Sequence, residues 1–311
     1  MSENWFKPVA RELFRAYLSK FPLRDGKAYA YERLHTRLTP PERYVVVRLD
    51  KGFRMKLDLA DPEQLKVYFY GHYHERYEAE LVQRLLTGDG VFWDIGANVG
   101  YFTLVAATAL NNRGQIAAFE PGRNAYARLV ENLSLNAYRN IQAFQVAVTD
   151  REGEAVLRVL GDIADSSATL YQSGQTEARG EVCRTVALDH FLKTEGLRPP
   201  DLIKLDAEGA ELAVLQGARG LISESPPMLL MEMEEKNLQA AGASKAVVVQ
   251  LLTGYGYQAA HLSKGRWYAV ADLKGVKGRN IFWFNPGVEA HRRGAAILPV
   301  QGSQRAGFAH R

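Results

Sequence analysis

The sequence predicts an α/β protein built on a doubly wound, mostly parallel sheet. From residue 91 onward, short apolar runs alternate with amphipathic stretches, as expected when strands and helices follow one another. This alternation of strands and helices implies a parallel sheet covered on both faces. A glycine-containing turn follows the first strand. Five strands are predicted, over residues 91–95, 116–119, 141–148, 202–205 and 228–231.

Length and composition set outer limits on the class of protein. At 311 residues, with 47% hydrophobic and 24% charged residues, the chain is typical of a folded domain with an additional segment. Its single cysteine, Cys183, excludes an intramolecular disulfide scaffold, and a reducing, cytoplasmic location is expected. The net charge of +4 is scattered, so no nucleic-acid partner is expected. No apolar run is long enough to predict a membrane span.

Residues 1–85 precede the regular alternation and are predicted to form a helical and β-hairpin appendage. Apolar residues recur at helical spacing over 5–20, and a second helix is predicted over 78–86. Between them, 44–59 has the alternation and central turn of a hairpin. The appendage is expected to cap the site or to form the contact of a homodimer, and the first helix could instead lie on a membrane surface or act as a lid.

Apolar runs and amphipathic stretches alternate over residues 86–287, which form the predicted core domain. Helices are expected over 101–109, 124–135, 188–192, 211–221 and 244–252. The polar and glycine-rich stretch 154–186 interrupts them and is predicted to be an insertion near the mouth of the site. Residues 257–262, 267–270 and 280–284 are expected to close the sheet as antiparallel strands. Residues 288–311 are predicted to be a flexible tail.

The glycine turn lies in the segment VFWDIGANVGYFT, residues 91–103. Gly96 and Gly100 allow a ligand to approach the backbone at the carboxyl end of a strand, where doubly wound sheets bind cofactors. The spacing is not G-x-G-x-x-G, because Asn98 and Tyr101 occupy two of its glycine positions. Asp94 would repel a pyrophosphate and attract a cation. S-adenosylmethionine, which carries an ammonium and a sulfonium but no phosphate, fits this turn.

Three further acidic positions follow predicted strands. Glu120 and Pro121 end the strand of AAFEP, where a carboxylate can accept both hydroxyls of a ribose. Asp206 follows the strand of LIKLD and is the first candidate for a catalytic base or substrate-orienting residue, with Glu232 and Glu208 behind it. Glu208 could simply complement a helix dipole, as could the glutamate three residues after it.

Two other chemistries are compatible with residues of this kind. Asp206 and Glu232 could hold Mg²⁺ or Ca²⁺ through oxygen ligands, but no metal site is predicted, and no His/Cys cluster favours zinc or iron. His261 is an outside candidate for a base, although a lone histidine on a strand-like stretch is more often structural.

Together the motifs resemble the FkbM family of S-adenosylmethionine-dependent methyltransferases. The matching segments occur in the family's order: DIGANVGYFT, AFEP, NLSLN, QVAVTDREGEAVL, the serine pair at 166–167, TVALDHFL, IKLDAEGAEL with VLQGA, and LLMEME. The resemblance implies a class I methyltransferase (Rossmann-like) fold, with a seven-stranded sheet that ends in an antiparallel hairpin. It also implies O-methylation of a hydroxyl on a sugar, a glycan or a natural-product small molecule.

The resemblance also assigns cofactor-binding positions. The methionine end of S-adenosylmethionine would be lined by the turn and the start of its helix, and the ribose by Glu120 with Pro121 beside it. The adenine edge would lie at Ala147 and Val148, and Asp206 and Glu75 would complete the site, although His74 departs from the family's aromatic residue upstream of the turn. The turn residues implied are Asp94, Gly96, Ala97, Asn98, Gly100, Tyr101 and Thr103.

Other activities stay open from the sequence alone. An N-methyltransferase would use the acidic residues to hold an amine or guanidine acceptor. A non-catalytic subunit could keep the fold and bind the cofactor without turnover. A dehydrogenase would instead need NAD(H).

Overall fold

A computed structural model describes residues 6–21, 26–159, 168–170, 179–263, 265–270, 273, 276 and 279–296. The predicted α/β class is confirmed: helices surround an eight-stranded sheet, and two-stranded and four-stranded sheets lie beside it in the described part of the chain. None of the helices in these ranges combines the length and apolar character needed to cross a bilayer.

The N-terminal region contains the two predicted helices, the predicted hairpin and two further helices. Its elements are α1 (Phe6–Lys20), α2 (Lys27–Leu38), β1 (Tyr44–Arg48), β2 (Arg54–Asp58), α3 (Pro62–Tyr70) and α4 (Arg76–Leu85). The sequence analysis missed α2 and α3. The start of α3 nevertheless carries a helix signature, because Asp61 accepts hydrogen bonds from the amides of Glu63 and Gln64 and Pro62 occupies the first turn.

The next elements confirm the predicted alternation, with one correction. They are β3 (Val91–Ile95), α5 (Tyr101–Leu110), β4 (Gln115–Phe119), α6 (Arg123–Ser134), β5 (Ile141–Phe144) and β6 (Ala147–Thr149). The single strand predicted over 141–148 is wrong, because β5 pairs with β4 in the large sheet whereas β6 belongs to the four-stranded sheet. The mainly apolar stretch 141–148 does not reveal that the chain changes from one sheet to the other within it.

The predicted insertion forms most of the four-stranded sheet. Its strands are β7 (Gly153–Val159), β8 (Ala168–Thr169) and β9 (Arg179–Ala187), and the order in the sheet is β6-β9-β7-β8. Residues 160–167, which include the serine pair of the family motif, and residues 171–178 lie outside the described residues.

Two connected crossovers follow, and here one predicted helix is divided. The elements are α7 (Leu188–Thr194), β10 (Leu202–Leu205), α8 (Glu211–Gln216), α9 (Arg219–Glu224), β11 (Met228–Glu232), α10 (Glu235–Ala240) and α11 (Lys245–Gly254). The single helix predicted over 211–221 is wrong because it breaks at Gly217. There the backbone approaches β6 so closely that a Cβ atom would lie 2.2 Å from the carbonyl oxygen of Thr149.

The C-terminal part has the predicted strands and a helix in place of the start of the predicted tail. Its elements are β12 (Gln258–Ser263), β13 (Arg266–Val270), β14 (Asn280–Phe284) and α12 (Glu289–Ala295). The prediction of a flexible tail from residue 288 is wrong for α12. His291 on this helix is buried, and its Nδ1 accepts a hydrogen bond from the amide of Asn285 at 2.9 Å. Residues 297–311 lie outside the described part.

The large sheet has the strand order β13-β12-β14-β11-β10-β3-β4-β5. Strands β5, β4, β3, β10 and β11 run parallel, and β14 is antiparallel to both of its neighbours. The doubly wound sheet with closing antiparallel strands is thus confirmed. The sheet has eight strands in the described residues rather than the seven that the resemblance implies, because β13 adds an edge beyond β12.

The N-terminal region shares a hydrophobic core with one face of the sheet. Phe14 and Leu18 of α1 and Phe69 of α3 belong to the same cluster of buried residues as Phe92 of β3 and Leu104 of α5. A second cluster covers the other face, around Trp93 and Trp283. Because parallel strands end together, this packing fixes the carboxyl ends of β3, β4, β10 and β11 along one edge.

Candidate active site

A cavity opens at the carboxyl ends of β3, β4 and β10. The space between its lining residues is about 680 Å³, part of which is open to solvent. Leu157 of β7 and Leu170 of the insertion also line it, so the insertion lies at the mouth of this cavity. Seven predicted cofactor-binding residues line the cavity: Gly96, Asn98, Glu120, Pro121, Ala147, Val148 and Asp206.

The glycine turn is tightly packed between neighbouring strands. The amides of Gly96 and Ala97 both donate to the carbonyl of Phe119 at the end of β4, at 2.9 and 3.0 Å. Gly96 has a φ of +78°, and a Cβ atom there would lie 1.8 Å from the carbonyl oxygen of Asp206. Asn98 also adopts a positive φ of 49°. The turn therefore presents backbone rather than side chains to the cavity.

Asp94 is not among the residues that line the cavity, and its contact with the donor stays a prediction. Its side chain is buried at 1% exposure and accepts a hydrogen bond from the Thr103 hydroxyl at 2.5 Å. Burial raises the pKa of Asp94 to about 6, although the Thr103 hydrogen bond and the Lys204 charge oppose the shift. Thr103 lies on α5, so this hydrogen bond ties the side chain of Asp94 at the end of β3 to the helix that follows the turn.

Three other predicted turn residues also lie outside the lining. Ala97 and Gly100 belong to the turn, and Gly100 begins α5 with a φ of +93°. The ring of Tyr101 packs against Tyr73 at 4.3 Å, in the hydrophobic cluster rather than in the cavity. The sequence correctly placed these residues at the edge formed by the carboxyl ends of the strands. It could not show on which face of the sheet each side chain lies.

Glu120 is held in position by backbone amides. Its two carboxylate oxygens accept hydrogen bonds from the amide of Asn98 at 2.8 Å and the amide of Gly122 at 2.9 Å. These bonds tie the end of β4 to the glycine turn. The carboxylate lines the cavity, in the position where the sequence predicted ribose recognition.

Next to the cavity, three carboxylates converge from separate elements. Oxygens of Glu75 before α4, Asp206 after β10 and Glu232 at the end of β11 lie within 4.8 Å of one another. The ammonium of Lys204 lies 3.0 Å from Asp206 Oδ2, and Arg279 Nη1 lies 3.0 Å from Glu232 Oε1. The structure thus brings together Glu75, Asp206 and Glu232, which the sequence nominated from three distant motifs.

Burial and mutual repulsion change the acidity of this cluster. Burial, followed by the negative charge of Asp206, raises the pKa of Glu232 to about 8. The same two causes raise the pKa of Glu208 to about 7. Burial disfavours the charged form of Lys204, but Asp206, Glu75 and Glu232 outweigh it and raise the pKa of the ammonium above its ordinary value. Perturbed groups of this kind concentrate at functional sites.

Glu208 also has an unusual backbone. Its φ is +48°, a left-handed conformation that side-chain-bearing residues seldom adopt. Its carboxylate accepts a hydrogen bond from the side-chain amide Nδ2 of Asn237 at 2.6 Å. Its backbone carbonyl accepts one from the Thr169 hydroxyl at 2.7 Å. Glu208 lines the cavity, so these contacts fix a strained residue between the cavity and the insertion.

The sequence analysis missed Lys204, Glu78 and Asn280. Asn280 of β14 donates to Glu75 at 3.1 Å and to Glu78 at 3.3 Å, which holds the N-terminal region against the sheet. A charged residue inside the apolar run LIKL was the available signal for Lys204. His261, the outside candidate, lies on β12 and is not among the residues that line the cavity.

The fold and the cavity are those of a class I, Rossmann-like methyltransferase: a doubly wound sheet with a cavity at the glycine turn after β3 and a carboxylate at the end of β4. The model of the methyltransferase FkbM domain matches residues 94–259, just over half of the chain. The chain belongs to this family, and S-adenosylmethionine is its methyl donor. The cavity and the amide-anchored Glu120 fit that donor.

Individual relatives are distant. The chain is 26% identical over 258 residues to the AMB antimetabolite synthetase AmbE of Pseudomonas aeruginosa, covering 71% of this chain but only 12% of AmbE. It is 26% identical over 184 residues to the hexuronic acid methyltransferase AglP of Haloferax volcanii, covering 57% of this chain and 69% of AglP.

The 2-O-methyltransferase NoeI of Sinorhizobium fredii is 25% identical over 189 residues, which are 57% of this chain and 76% of NoeI. Among solved structures, an FkbM methyltransferase from Methylobacillus flagellatus is 18% identical. The alignment covers 71% of this chain and 52% of that chain, with a TM-score of 0.42.

Proposed function

We propose that this methyltransferase transfers a methyl group to a hydroxyl of a sugar, a glycan or a natural-product small molecule. The observation that carries the proposal is the cluster of Glu75, Asp206 and Glu232 beside the donor cavity, in which a carboxyl with a pKa of about 8 can accept a proton near neutral pH. The name of AglP, a hexuronic acid methyltransferase, supports a carbohydrate acceptor, and that of NoeI, a 2-O-methyltransferase, supports transfer to an oxygen.

The residues of the cavity would hold the donor. The turn at Gly96 and Asn98 would contact the methionine end, Glu120 would accept hydrogen bonds from the ribose hydroxyls, and Ala147 and Val148 would lie along the adenine edge. When bound, S-adenosylmethionine supplies a methyl group that its sulfonium makes electrophilic. The protein must then exclude water, orient the acceptor and remove its proton.

A hydroxyl acceptor needs a base, and the cluster provides one. Glu232 extends from the end of β11 with a side chain that is 15% exposed, so its carboxylate is shielded but reachable from the site. Asp206 lies beside it and also lines the donor cavity. We assign Glu232 as the base, Asp206 as the residue that orients the acceptor, and Glu208 as a support at the cavity edge.

The charge of the cluster favours a neutral reacting group. Among the described residues the cluster has three carboxylates, Glu75, Asp206 and Glu232, and two cations, Lys204 and Arg279. Above the raised pKa of Glu232 the negative charges outnumber the positive ones, so a carboxylate acceptor would be repelled there, and it would need no base. We therefore expect methyl ethers rather than methyl esters, even with a uronic acid as the acceptor.

The same charge could hold a protonated amine, which makes N-methylation the second candidate. The two are separated by incubating the protein with ¹³C-methyl S-adenosylmethionine and matched panels of neutral glycosides, uronic acids and amines. We expect base-stable methyl ethers on the first two panels. Products confined to amines would reject O-methylation, and binding of S-adenosylhomocysteine without turnover on any panel would favour a non-catalytic subunit.

A variant links the product to the proposed base. Glu232→Gln should lower turnover while S-adenosylhomocysteine still binds, because Glu232 is assigned to the acceptor rather than to the donor. Glu224→Gln, at the exposed end of α9, is the matched control and should leave turnover unchanged. Unchanged turnover in Glu232→Gln would remove Glu232 from the assignment.

A further inference from the structure

Lys204 is a buried cation in the middle of the central sheet. It lies on β10, in register with Asp94 on β3 and Leu230 on β11, and is only 1% exposed. A lysine ammonium in such a place is costly unless charged or polar groups compensate it. Its position between the turn and the acid cluster raises the question of what the charge does there.

The ammonium has a directional set of partners. It donates to Asp206 at 3.0 Å and lies 5.2 Å from the centre of the Phe102 ring. Glu75 and Glu232 also stabilise its charge. Lys204 therefore contacts one carboxylate of the cluster directly and acts on the other two through space.

Charged groups approach the cluster from every element packed around it. Among the residues that the structure describes, the cations are Lys204 on β10 and Arg279 before β14, and the carboxylates outnumber them: Glu75, Glu78, Asp94, Asp206, Glu208 and Glu232. Carboxylates this close together cannot all be ionised at low cost, so the group retains protons. Which carboxyl retains one depends on where the fixed cations lie.

Geometry distinguishes Asp206 from Glu232. Asp206 receives the hydrogen bond of the buried Lys204, whereas Glu232 pairs with Arg279, whose side chain is 58% exposed and reaches in from the surface. The buried ammonium of Lys204 thus holds the Asp206 carboxylate in place by a hydrogen bond. Of the two carboxyls, Glu232 has the weaker counter-charge, because solvent screens Arg279. Proton exchange with an acceptor is easiest at Glu232.

We propose that Lys204 is a positioning residue: its hydrogen bond holds the Asp206 carboxylate in place and leaves Glu232 as the carboxyl of the pair that exchanges a proton with the acceptor. This inference rests on the proposed hydroxyl methylation. In that reaction the acceptor's O–H proton passes to Glu232 as its oxygen takes up the methyl group, and Lys204 keeps Glu232 unprotonated often enough to receive it.

The proposal is tested without any acceptor, by ¹³C NMR of the full chain carrying ¹³C-labelled glutamate carboxyls between pH 5 and 10. A signal that titrates near pH 8 and disappears in Glu232→Gln identifies the base, and Glu208→Gln identifies its neighbour. In Lys204→Met the pH midpoint of the Glu232 signal should rise by at least one unit. In Lys204→Arg, which keeps the positive charge, the midpoint should lie close to that of wild type. Lys66→Met, which removes a surface partner of Glu63, should leave it unchanged.

A second variant keeps the test decisive if Lys204→Met does not fold. Asp206→Asn removes the charge that opposes ionisation of Glu232, so its midpoint should fall by at least one unit. An unchanged midpoint in the folded variants, or a Glu232 signal that titrates with ordinary glutamates, would overturn the proposal.

The positioning role also has a kinetic signature that a purely structural role lacks. Once an acceptor is identified, Lys204→Met should move the rising limb of the kcat profile to higher pH while the Kd for S-adenosylhomocysteine stays within about threefold. If the NMR midpoints shift as expected but no hydroxyl is methylated, the proposed function fails and the charge coupling stands. A kcat profile that does not move would reject the positioning role alone.

Discussion

At the scale of single residues, the site holds groups in states that the folded core would otherwise avoid. Glu232 and Glu208 have raised pKa values, and Glu208 also has a left-handed backbone. Such features destabilise a protein locally and persist where surrounding contacts hold them, which is characteristic of functional sites. Variants of these two residues therefore allow the free energy of unfolding to be compared with turnover.

The raised pKa of Glu232 predicts a pH dependence for methyl transfer. A base must be unprotonated, so kcat should rise about tenfold per pH unit below pH 8 and level off above it. Stability changes in the opposite direction: because the folded pKa of about 8 exceeds the ordinary 4.5, the free energy of unfolding should fall as pH rises between these values. Glu232→Gln should abolish the rising limb, and a flat wild-type profile would argue against a carboxyl base.

Glu208→Gly is expected to separate stability from activity. Glycine removes the left-handed strain, worth about 1–2 kcal/mol, and the cost of burying a charged carboxylate. Against these gains stands the loss of the hydrogen bond from Asn237 to that carboxylate, worth about 1.5–3 kcal/mol. Urea unfolding at pH 8 should thus show no loss of stability, while turnover falls. Asn111→Gly, which relieves a φ of 47° at the end of α5, should gain stability with unchanged turnover.

Residue positions were predictable only as far as the sheet edge. Gly96 and Glu120 could be recognised because a strand end, a glycine and a carboxylate form a local pattern. Asp94 was placed in the cavity because its position in the strand indicates the edge but not which face α5 covers. Lys204 was missed because its role depends on Glu75 and Glu232, which lie far away in the chain.

At the scale of elements, the turn between β3 and α5 determines how closely β3, β4 and β10 approach at their carboxyl ends. The backbone of Gly96 faces the carbonyl of Asp206 with no space for a side chain. The sequence predicted these strands because each is a bounded apolar run. It did not predict the separation of β5 from β6 or of α8 from α9, since pairing and close backbone approach are tertiary properties.

Gly96→Ala should damage this junction more than its backbone conformation alone requires. The left-handed φ would cost about 1–2 kcal/mol, and the overlap with Asp206 would add about 1–3 kcal/mol. Gly242→Ala is the matched control, because Gly242 has a similar φ of +74° with no atom within 4 Å of the added Cβ. Urea unfolding and S-adenosylhomocysteine titration of both variants check this, and equal losses would show that the close approach is unimportant.

At the scale of the whole molecule, the N-terminal region is part of the structure that supports the site. Phe69 of α3 contacts the rings of Phe14 and Tyr31, and this cluster continues to the sheet. Glu75, which follows α3, contributes to the acid cluster. The sequence predicted an appendage from the change in pattern, but the shared core could not be inferred without knowing which apolar faces meet.

A shared core predicts that the chain unfolds as one unit. Phe69→Ala should lower the free energy of unfolding by about 3–5 kcal/mol in a single transition that S-adenosylhomocysteine still shifts upward. Val130→Ala, at an exposed position on α6, should have little effect. Calorimetry with two transitions, of which the ligand shifts one that Phe69→Ala leaves unchanged, would identify the N-terminal region as a separate unit.

The central claim is that the cavity beside the glycine turn binds the methyl donor through Glu120. Isothermal titration with S-adenosylhomocysteine tests it most directly, using wild-type protein, Glu120→Ala and the surface variant Glu131→Ala. We predict binding to wild type, equal binding to Glu131→Ala, and an affinity about 10–100-fold lower in Glu120→Ala, as expected for losing hydrogen bonds to a charged group worth about 1.5–3 kcal/mol. Folded wild-type protein that releases no heat with this ligand, or Glu120→Ala that binds as tightly as wild type, would contradict the account.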